Sequence, residues 1–301
     1  MTPDELRGRL HGAIAFPVTP FRSDLSIDLA GLRENLQVLV QYPLGGVVAA
    51  GGTGEMYSLT PAEHNAVVAV TAKEVRGRLP VIAGVGFNAR MAVEMARLAV
   101  AAGADAILAL PPYYPNADDE GLAEYYAAIG AATPQPLIVY SRDWVNPSPR
   151  WVERLAARIP TLVAWKDGQG DVRRYQQVIH HVGDRLHWIG GTGDDCVPGY
   201  YSIGVRTYTS SIATVAPRLS VRLHEVASAG DDCGLKRLMN DYVLPLYALR
   251  ARRKGYEVTV MKELMNLVGL AAGPVRPPLP PVSPEDVADI RRLLETWDPM
   301  L

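Results

Sequence analysis

The sequence predicts a closed (β/α)8 barrel followed by a helical extension, and three of its features do so. Short apolar runs alternate with stretches of helical spacing, and parallel strands need such crossover helices between them. The alternation repeats eight times in about 220 residues, close to the roughly 250 residues typical of a closed barrel. From residue 231 the alternation stops. Residues 231–301 read instead as two or three helices with a proline-rich turn over residues 273–281, packed on a barrel formed by residues 1–230. An open, doubly wound parallel sheet is the competing reading of the same alternation.

The first strand is Ala13-Ile14-Ala15-Phe16-Pro17-Val18, closed by Thr19-Pro20. Leu29, Leu32, Leu36, Leu39 and Val40 then recur at helical spacing over residues 28–41, behind a cap from Ser26 or Asp28. A second strand over 46–50 runs into Gly51-Gly52-Thr53-Gly54-Glu55. Thr60-Pro61-Ala62-Glu63 has the form of a capping box with proline in the first turn, and opens a helix to residue 75. The same unit follows at 81–84 with a helix over 88–102, and at 106–110 with Pro111-Pro112-Tyr113-Tyr114 and a helix over 118–131. Strand 137–140 precedes helix 149–158. Thr161-Leu162-Val163-Ala164-Trp165 runs into Lys166-Asp167-Gly168 and a helix over 171–181. Strands at 186–190 and 205–208 precede helices over 194–202 and 217–229.

Composition narrows the function. The 30 basic and 32 acidic residues nearly cancel and form no block of one sign, so neither nucleic acid nor a membrane surface is expected as a partner. Cys196 and Cys233 have no zinc-ligand spacing and nothing pairs them, which suits a reducing compartment. No run approaches the roughly 20 apolar residues of a membrane span. Near the start, Asp4 and Glu5 stand where a signal peptide would begin its apolar core. The expectation is a soluble, cytoplasmic protein.

In barrel enzymes the chemistry lies at the carboxyl ends of the strands. Those ends carry Thr19, residues 51–55, Tyr113 and Tyr114, Tyr140, Lys166, Gly190 and Gly191, and Ser210 and Ser211. Lys166 closes an apolar run, where its ammonium can be desolvated; desolvation lowers a lysine's pKa and frees the amine to attack a carbonyl. The plain alternative is a solvated lysine just past its strand. Tyr140 ends the neighbouring strand, so the phenol and the amine can converge above the barrel. Such a lysine forms a carbinolamine and then an iminium with a ketone, while the phenol moves protons at the oxygen and the α-carbon. Tyr140 read alone is a packed aromatic. The turn at residues 51–54 offers backbone N–H groups and the Thr53 hydroxyl, suited to a carboxylate, although glycines there also serve the turn itself. Glu55 reads as a structural acid bonding loop amides. His180 and His181, late in a helix, have no assigned role. There is no dinucleotide fingerprint, phosphate loop, His-Glu-x-x-His or nucleophile elbow, and neither cofactor nor metal is expected.

Gly51-Gly52-Thr53-Gly54-Glu55, Pro112-Tyr113-Tyr114, Val139-Tyr140 and Trp165-Lys166-Asp167 resemble, in order and over essentially the whole chain, the dihydrodipicolinate synthase/N-acetylneuraminate lyase family. Val139-Tyr140-Ser141-Arg142-Asp143, Lys166-Asp167-Gly168 and the tail Gly273-Pro274-Val275-Arg276-Pro277-Pro278-Leu279 are most similar to its 5-dehydro-4-deoxyglucarate dehydratase branch. The resemblance implies Lys166 as Schiff-base nucleophile and Tyr140 as proton-transfer phenol. It implies Thr53 and the nearby loop amides, those of Gly52 and Gly54 among them, as binders of a 2-oxo carboxylate; Gly191, at its strand end, is a further candidate contact. The synthases carry at position 52 a threonine that links two tyrosines in a proton relay, one of them from a neighbouring subunit. Gly52 cannot relay, which argues against that role for Tyr114. Ser141-Arg142-Asp143 replaces the synthases' Asn-x-Pro-x-Arg context and argues against aspartate semialdehyde, whereas Gly193-Asp194-Asp195 is closer to the synthases. A dehydratase substrate brings a second carboxylate, for which Arg142, Ser210 and Ser211 are the candidates; an ion pair with Asp143 is the plain alternative for Arg142. Arg276 reads as structural. The implied activity on a 2-oxo sugar acid releases water, CO2 and 2,5-dioxopentanoate. The competing readings are a pyruvate-dependent aldolase or 4-hydroxy-tetrahydrodipicolinate synthase of the same family, and a keto-acid-binding barrel without catalysis. The family's habit implies a homotetramer built as a dimer of dimers, with Tyr114 near an interface.

Overall fold

Eight parallel strands pair in sequence order and close on themselves in the computed structural model, which describes residues 1–301. They are β1 (Gly12–Ala15), β2 (Gly46–Ala49), β3 (Val81–Phe87), β4 (Ala106–Pro112), β5 (Leu137–Ser141), β6 (Leu162–Asp167), β7 (His187–Gly190) and β8 (Thr207–Ser210). Closure comes from β8 pairing with β1, where Gly12 faces Thr207 and Ala15 faces Ser210. The (β/α)8 expectation holds and the open sheet does not.

One helix precedes β1, α1 (Pro3–Arg9), and none is expected there from the sequence. Thr2 and Glu5 close a capping box on it, and its Leu6 is fully buried. Leu6 and Leu10 join Ile14, Val48, Ile82, Ile138 and Ile189 in a core inside the barrel. Because α1 leads into the amino end of β1, it plugs the mouth opposite the strands' carboxyl ends. The crossover helices follow the expected order: α2 (Leu29–Leu39), α3 (Pro61–Val75), α4 (Ala89–Ala101), α5 (Asp119–Gly130), α6 (Pro149–Arg158), α7 (Val172–Val182), α8 (Val197–Ser202) and α9 (Pro217–Ser228). Asp28, not Ser26, caps α2. The eighth strand lies two residues later than 205–208, because Thr207 pairs with both Gly12 and Ile189 while Val205 packs in the outer core.

Beyond the barrel come α10 (Asp232–Leu238), α11 (Leu244–Arg250), α12 (Tyr256–Leu267) and α13 (Pro284–Trp297). A π turn over Met239–Val243 joins α10 to α11, just before Pro245, whose nitrogen cannot continue the helical bonding. Met261, Leu264, Ile290 and Trp297 belong to the same buried cluster as the outer faces of the barrel strands. The segment after α12 is pinned to the barrel's first loop and to α2. Phe21 N–H donates to Ala272 O at 3.0 Å, and Asn35 donates to Ala271 O at 2.6 Å. Gly273 has φ +65, and a Cβ there would lie 1.7 Å from Phe21 O, so only glycine fits. No helix is long and apolar enough to cross a membrane.

Candidate active site

β5 and β6 are neighbours, and their register sets Tyr140 directly beside Lys166. Lys166 is the penultimate residue of β6 and only 3% exposed, so it is not a solvated lysine past its strand. Its Nζ donates to Gly191 O at 2.9 Å and lies 3.1 Å from the centroid of the Tyr140 ring, with the Phe16 ring at 5.3 Å. Burial pushes its pKa well below the usual lysine value, and the nearby Arg142 guanidinium pushes the same way; Asp167 opposes them weakly. The Tyr140 hydroxyl donates to the same Gly191 carbonyl at 3.4 Å. Burial raises its pKa, so at neutral pH the phenol keeps its proton and is a donor. Amine and phenol thus meet on one backbone oxygen. A Cβ at residue 191 would lie 2.3 Å from Asp167 O and 2.5 Å from Lys166 Cγ, so glycine is what lets the lysine lie there.

The strand ends around the pair are tied by side chains. Trp165 Nε1 donates to Ser141 Oγ at 3.1 Å, and Ser141 in turn donates to Lys166 O at 3.3 Å. The buried Asp167 carboxylate accepts from Tyr200 at 2.8 Å and from the amides of Gln169 and Gly170 at 3.2 and 3.1 Å. It shapes the β6–α7 loop.

The turn after β2 is closed by Glu55 N–H donating to Gly52 O at 3.0 Å and Met56 N–H to Gly51 O at 3.2 Å, with Thr19 Oγ1 donating to Gly54 O at 2.7 Å. The amides of Gly52, Thr53 and Gly54 donate to no group in the chain, which leaves a row of N–H groups and the half-buried Thr53 for an anion. Arg142 reaches this turn. Its terminal nitrogen is 3.7 Å from where a Cβ on Gly52 would stand, and its guanidinium is 5.5 Å from the Tyr140 ring. Its Nε also holds Asp143 at 2.8 Å, the ion pair expected as the plain alternative, with both side chains partly exposed. The arrangement gathers an amine, a phenol, a guanidinium and free amides.

Other candidates lie elsewhere or are committed. Ser210 is fully buried: it donates to Asp194, shares a hydrogen bond with Ser220 at 2.8 Å, and accepts from Ala213 N at 3.0 Å. Burial raises the Asp194 pKa to about 6. Ser211 Oγ accepts from Arg250 at 3.1 Å. Tyr114 is 64% exposed beside Tyr113 and lines an apolar groove of about 620 Å³ whose walls include neither Lys166 nor Tyr140. Sequence reasoning missed Phe16, which sits over the lysine from β1's carboxyl side, and the Ser141 link. It also missed the partner of Glu55, which is Lys262 of α12 at 2.6 Å.

Fold and site define a barrel enzyme with a desolvated amine and an adjoining phenol at the carboxyl mouth. More narrowly, the chain belongs to the dihydrodipicolinate synthetase family, which matches residues 9–297. It is 43% identical to a protein of Methylobacterium radiotolerans named "Probable 5-dehydro-4-deoxyglucarate dehydratase", over 98% of each chain. A protein of the same name from Saccharopolyspora erythraea is 42% identical over 98% of this chain and 96% of its own. Among solved structures, dihydrodipicolinate synthase from Oceanobacillus iheyensis superposes with a TM-score of 0.93 at 32% identity, covering 99% of both chains. The synthase from Acinetobacter baumannii, solved in complex with pyruvate, gives 0.87 at 29% identity, covering 97% of this chain and all of that one.

Proposed function

We propose that this protein is a Schiff-base lyase that dehydrates and decarboxylates 5-dehydro-4-deoxyglucarate to 2,5-dioxopentanoate. The observation that carries the reading is Lys166: a buried amine of depressed pKa, 2.9 Å from Gly191 O and set against Tyr140. The names of its relatives supply the substrate. The complex of the Acinetobacter synthase with pyruvate supports a 2-oxo carboxylate as the group bound near the amine.

The neutral amine of Lys166 adds to the C5 ketone, and the protonated Tyr140 phenol supplies the proton with which the carbinolamine oxygen leaves as water. The iminium acidifies C4. Removal of that proton gives an enamine, which expels the C3 hydroxyl as water. The conjugated iminium then takes up the electron pair of the C1–C2 bond as CO2 leaves. Protonation and hydrolysis return Lys166 and release the product. The free amides of residues 52–54 bind the carboxylate next to the ketone. Arg142 is our candidate for the distal carboxylate, as the cation that lies at the mouth, 5.5 Å from the Tyr140 ring. Ser210 would have to give up its bond to Asp194 to contribute, whereas Ser211, which accepts from Arg250, keeps its own hydroxyl proton to donate.

Borohydride added with substrate should reduce the iminium and leave a stable adduct on Lys166. An unmodified lysine, or a Lys166→Ala variant that still turns over, would sink the proposal. The Gly193-Asp194-Asp195 turn and the likeness to synthases keep a second reading, a retro-aldol cleavage. Following both products decides between them, since a dehydratase releases CO2 and a retro-aldolase releases pyruvate. We further propose that a second copy of the chain covers the groove at Tyr113 and Tyr114, within a tetramer. Cys196 and Cys233, both free thiols, suit a cytoplasmic location, which cell fractionation would check.

A further inference from the structure

Glu55 has no part in the proposed chemistry, although it directly follows the turn offered to the carboxylate. It is fully buried and sits at φ +54, a left-handed conformation unusual for a residue with a side chain. Backbone strain of this kind persists only where surrounding contacts over-determine it.

Here the contacts come from the far end of the chain. Glu55 Oε1 is 2.6 Å from Lys262 Nζ, and Glu55 Oε2 accepts the backbone N–H of Arg276 at 3.1 Å. Lys262, itself 1% exposed, also donates to Pro274 O at 2.9 Å and lies 4.0 Å from the Phe21 ring centroid. The Arg276 guanidinium forks onto Glu63 at 2.6 and 2.9 Å and donates to Ser58 O at 2.8 Å and Leu25 O at 2.7 Å. The segment around residues 274–276 therefore clasps the stretch just downstream of the turn, while Thr19 holds Gly54 from upstream.

We propose that Glu55 is a positioning residue, and that the Lys262 ammonium and the Arg276 amide, acting through its carboxylate, set the geometry of the turn that binds the 2-oxo carboxylate. A buried ion pair adds little to stability compared with a well-packed apolar pair of the same shape. Here the Arg276 amide supplies the directional bond, and the Lys262 ammonium holds the other carboxylate oxygen by charge at 2.6 Å, so that together they fix where the carboxylate lies. With Glu55 N–H bonded to Gly52 O and its side chain gripped by α12 and the tail, the free amides of residues 52–54 have no freedom to turn away from the site. The C-terminal extension is then part of the substrate site without touching substrate.

This inference rests on the reading of Lys166 and the turn given above, and the test separates the two. Borohydride trapping is followed as pyruvate is increased, for the full chain and for Lys262→Met, Glu55→Gln and the double variant. In the variants the pyruvate concentration giving half the maximal rate rises by roughly tenfold to a hundredfold, the scale expected for a misplaced binding group, and the maximal rate stays near that of the parent. Should a single variant fail to fold, the double variant, which leaves no unpaired buried charge, carries the comparison. Variants that lose thermal stability with an unchanged half-saturating concentration overturn the inference, and so does a fall in maximal rate alone. A parent chain that traps no pyruvate overturns instead the reading of Lys166.

Discussion

At the scale of single residues, the mechanism proposed above makes the protonation state of Lys166 govern both rate and stability. Only the neutral amine attacks a ketone, and burial with Arg142 nearby depresses its pKa. Adduct formation with pyruvate is therefore expected to persist below the pH at which a solvent-exposed lysine is almost fully protonated, and to fall as pH drops through the depressed pKa. A rate profile of borohydride trapping checks this. The same shift acts against the fold. Between the depressed value and the ordinary lysine value of 10.5 the unfolded chain binds a proton that the folded chain does not, so stability falls as pH is lowered across that window. Lys166→Met, apolar and of similar length, should abolish the adduct while raising stability at neutral pH by about 1–2 kcal/mol, read from the unfolding midpoint in urea. Gly191→Ala tests the geometry from the other side. A methyl 2.5 Å from Lys166 Cγ displaces the amine, and trapping at saturating pyruvate should slow by about a hundredfold. Lys166 and Tyr140 are legible in the sequence because a polar group closing an apolar run marks a strand end. The acceptor they share is not, since a backbone carbonyl has no sequence signature. Nor is the grip on Glu55, whose amide donor lies 221 positions away.

Among the elements, legibility follows local chemistry. Thr60-Pro61, Asp118, Ser148-Pro149 and Ser283-Pro284 each cap the helix that follows them, because the cap bond is made within three residues. The limits of β8 depend on pairing with β1, almost two hundred residues earlier by the register Gly12↔Thr207, and so escape local reading. The short α1 escapes for a related reason: its Leu6, and Leu10 just after it, bury against strands distant in sequence. The tail's hold on α3 is testable at this scale. The Arg276 fork holds the Glu63 pKa down to about 2, with the α3 cap adding to the effect. A carboxylate held low in the folded state stabilises above its unfolded value, here 4.5, and that contribution is lost as pH falls toward about 2. Arg276→Ala should therefore cost about 2–3 kcal/mol at pH 7, as the loss of charge-assisted bonds predicts, and less near pH 2, where only the bonds to Ser58 O and Leu25 O are left to lose. Urea unfolding at the two pH values measures the difference.

Over the whole molecule, the eightfold alternation reveals the barrel because each unit repeats the same local code, whereas assembly is written only in a surface. Tyr113 and Tyr114 are 83% and 64% exposed, next to Tyr57 and Met91, which are also exposed. These rings frame a groove that also reaches Phe87, Met95 and Tyr125, and such a contiguous apolar surface is uncommon on a protein that stays alone. A second copy is the occupant we propose, and apolar burial is what would drive its docking. If that is the driving force, the ring of Tyr114 matters and its hydroxyl does not, because Gly52 offers no hydroxyl through which a relay could pass. Tyr114→Phe should keep the parent's sedimentation coefficient at micromolar concentration. Tyr114→Asp places a charge in the buried patch and should shift the population to a smaller species, with Lys166 still trapped by borohydride and pyruvate. An unchanged sedimentation coefficient for Tyr114→Asp would remove this groove as the interface. A loss of assembly in Tyr114→Phe would show instead that the hydroxyl makes a bond across it.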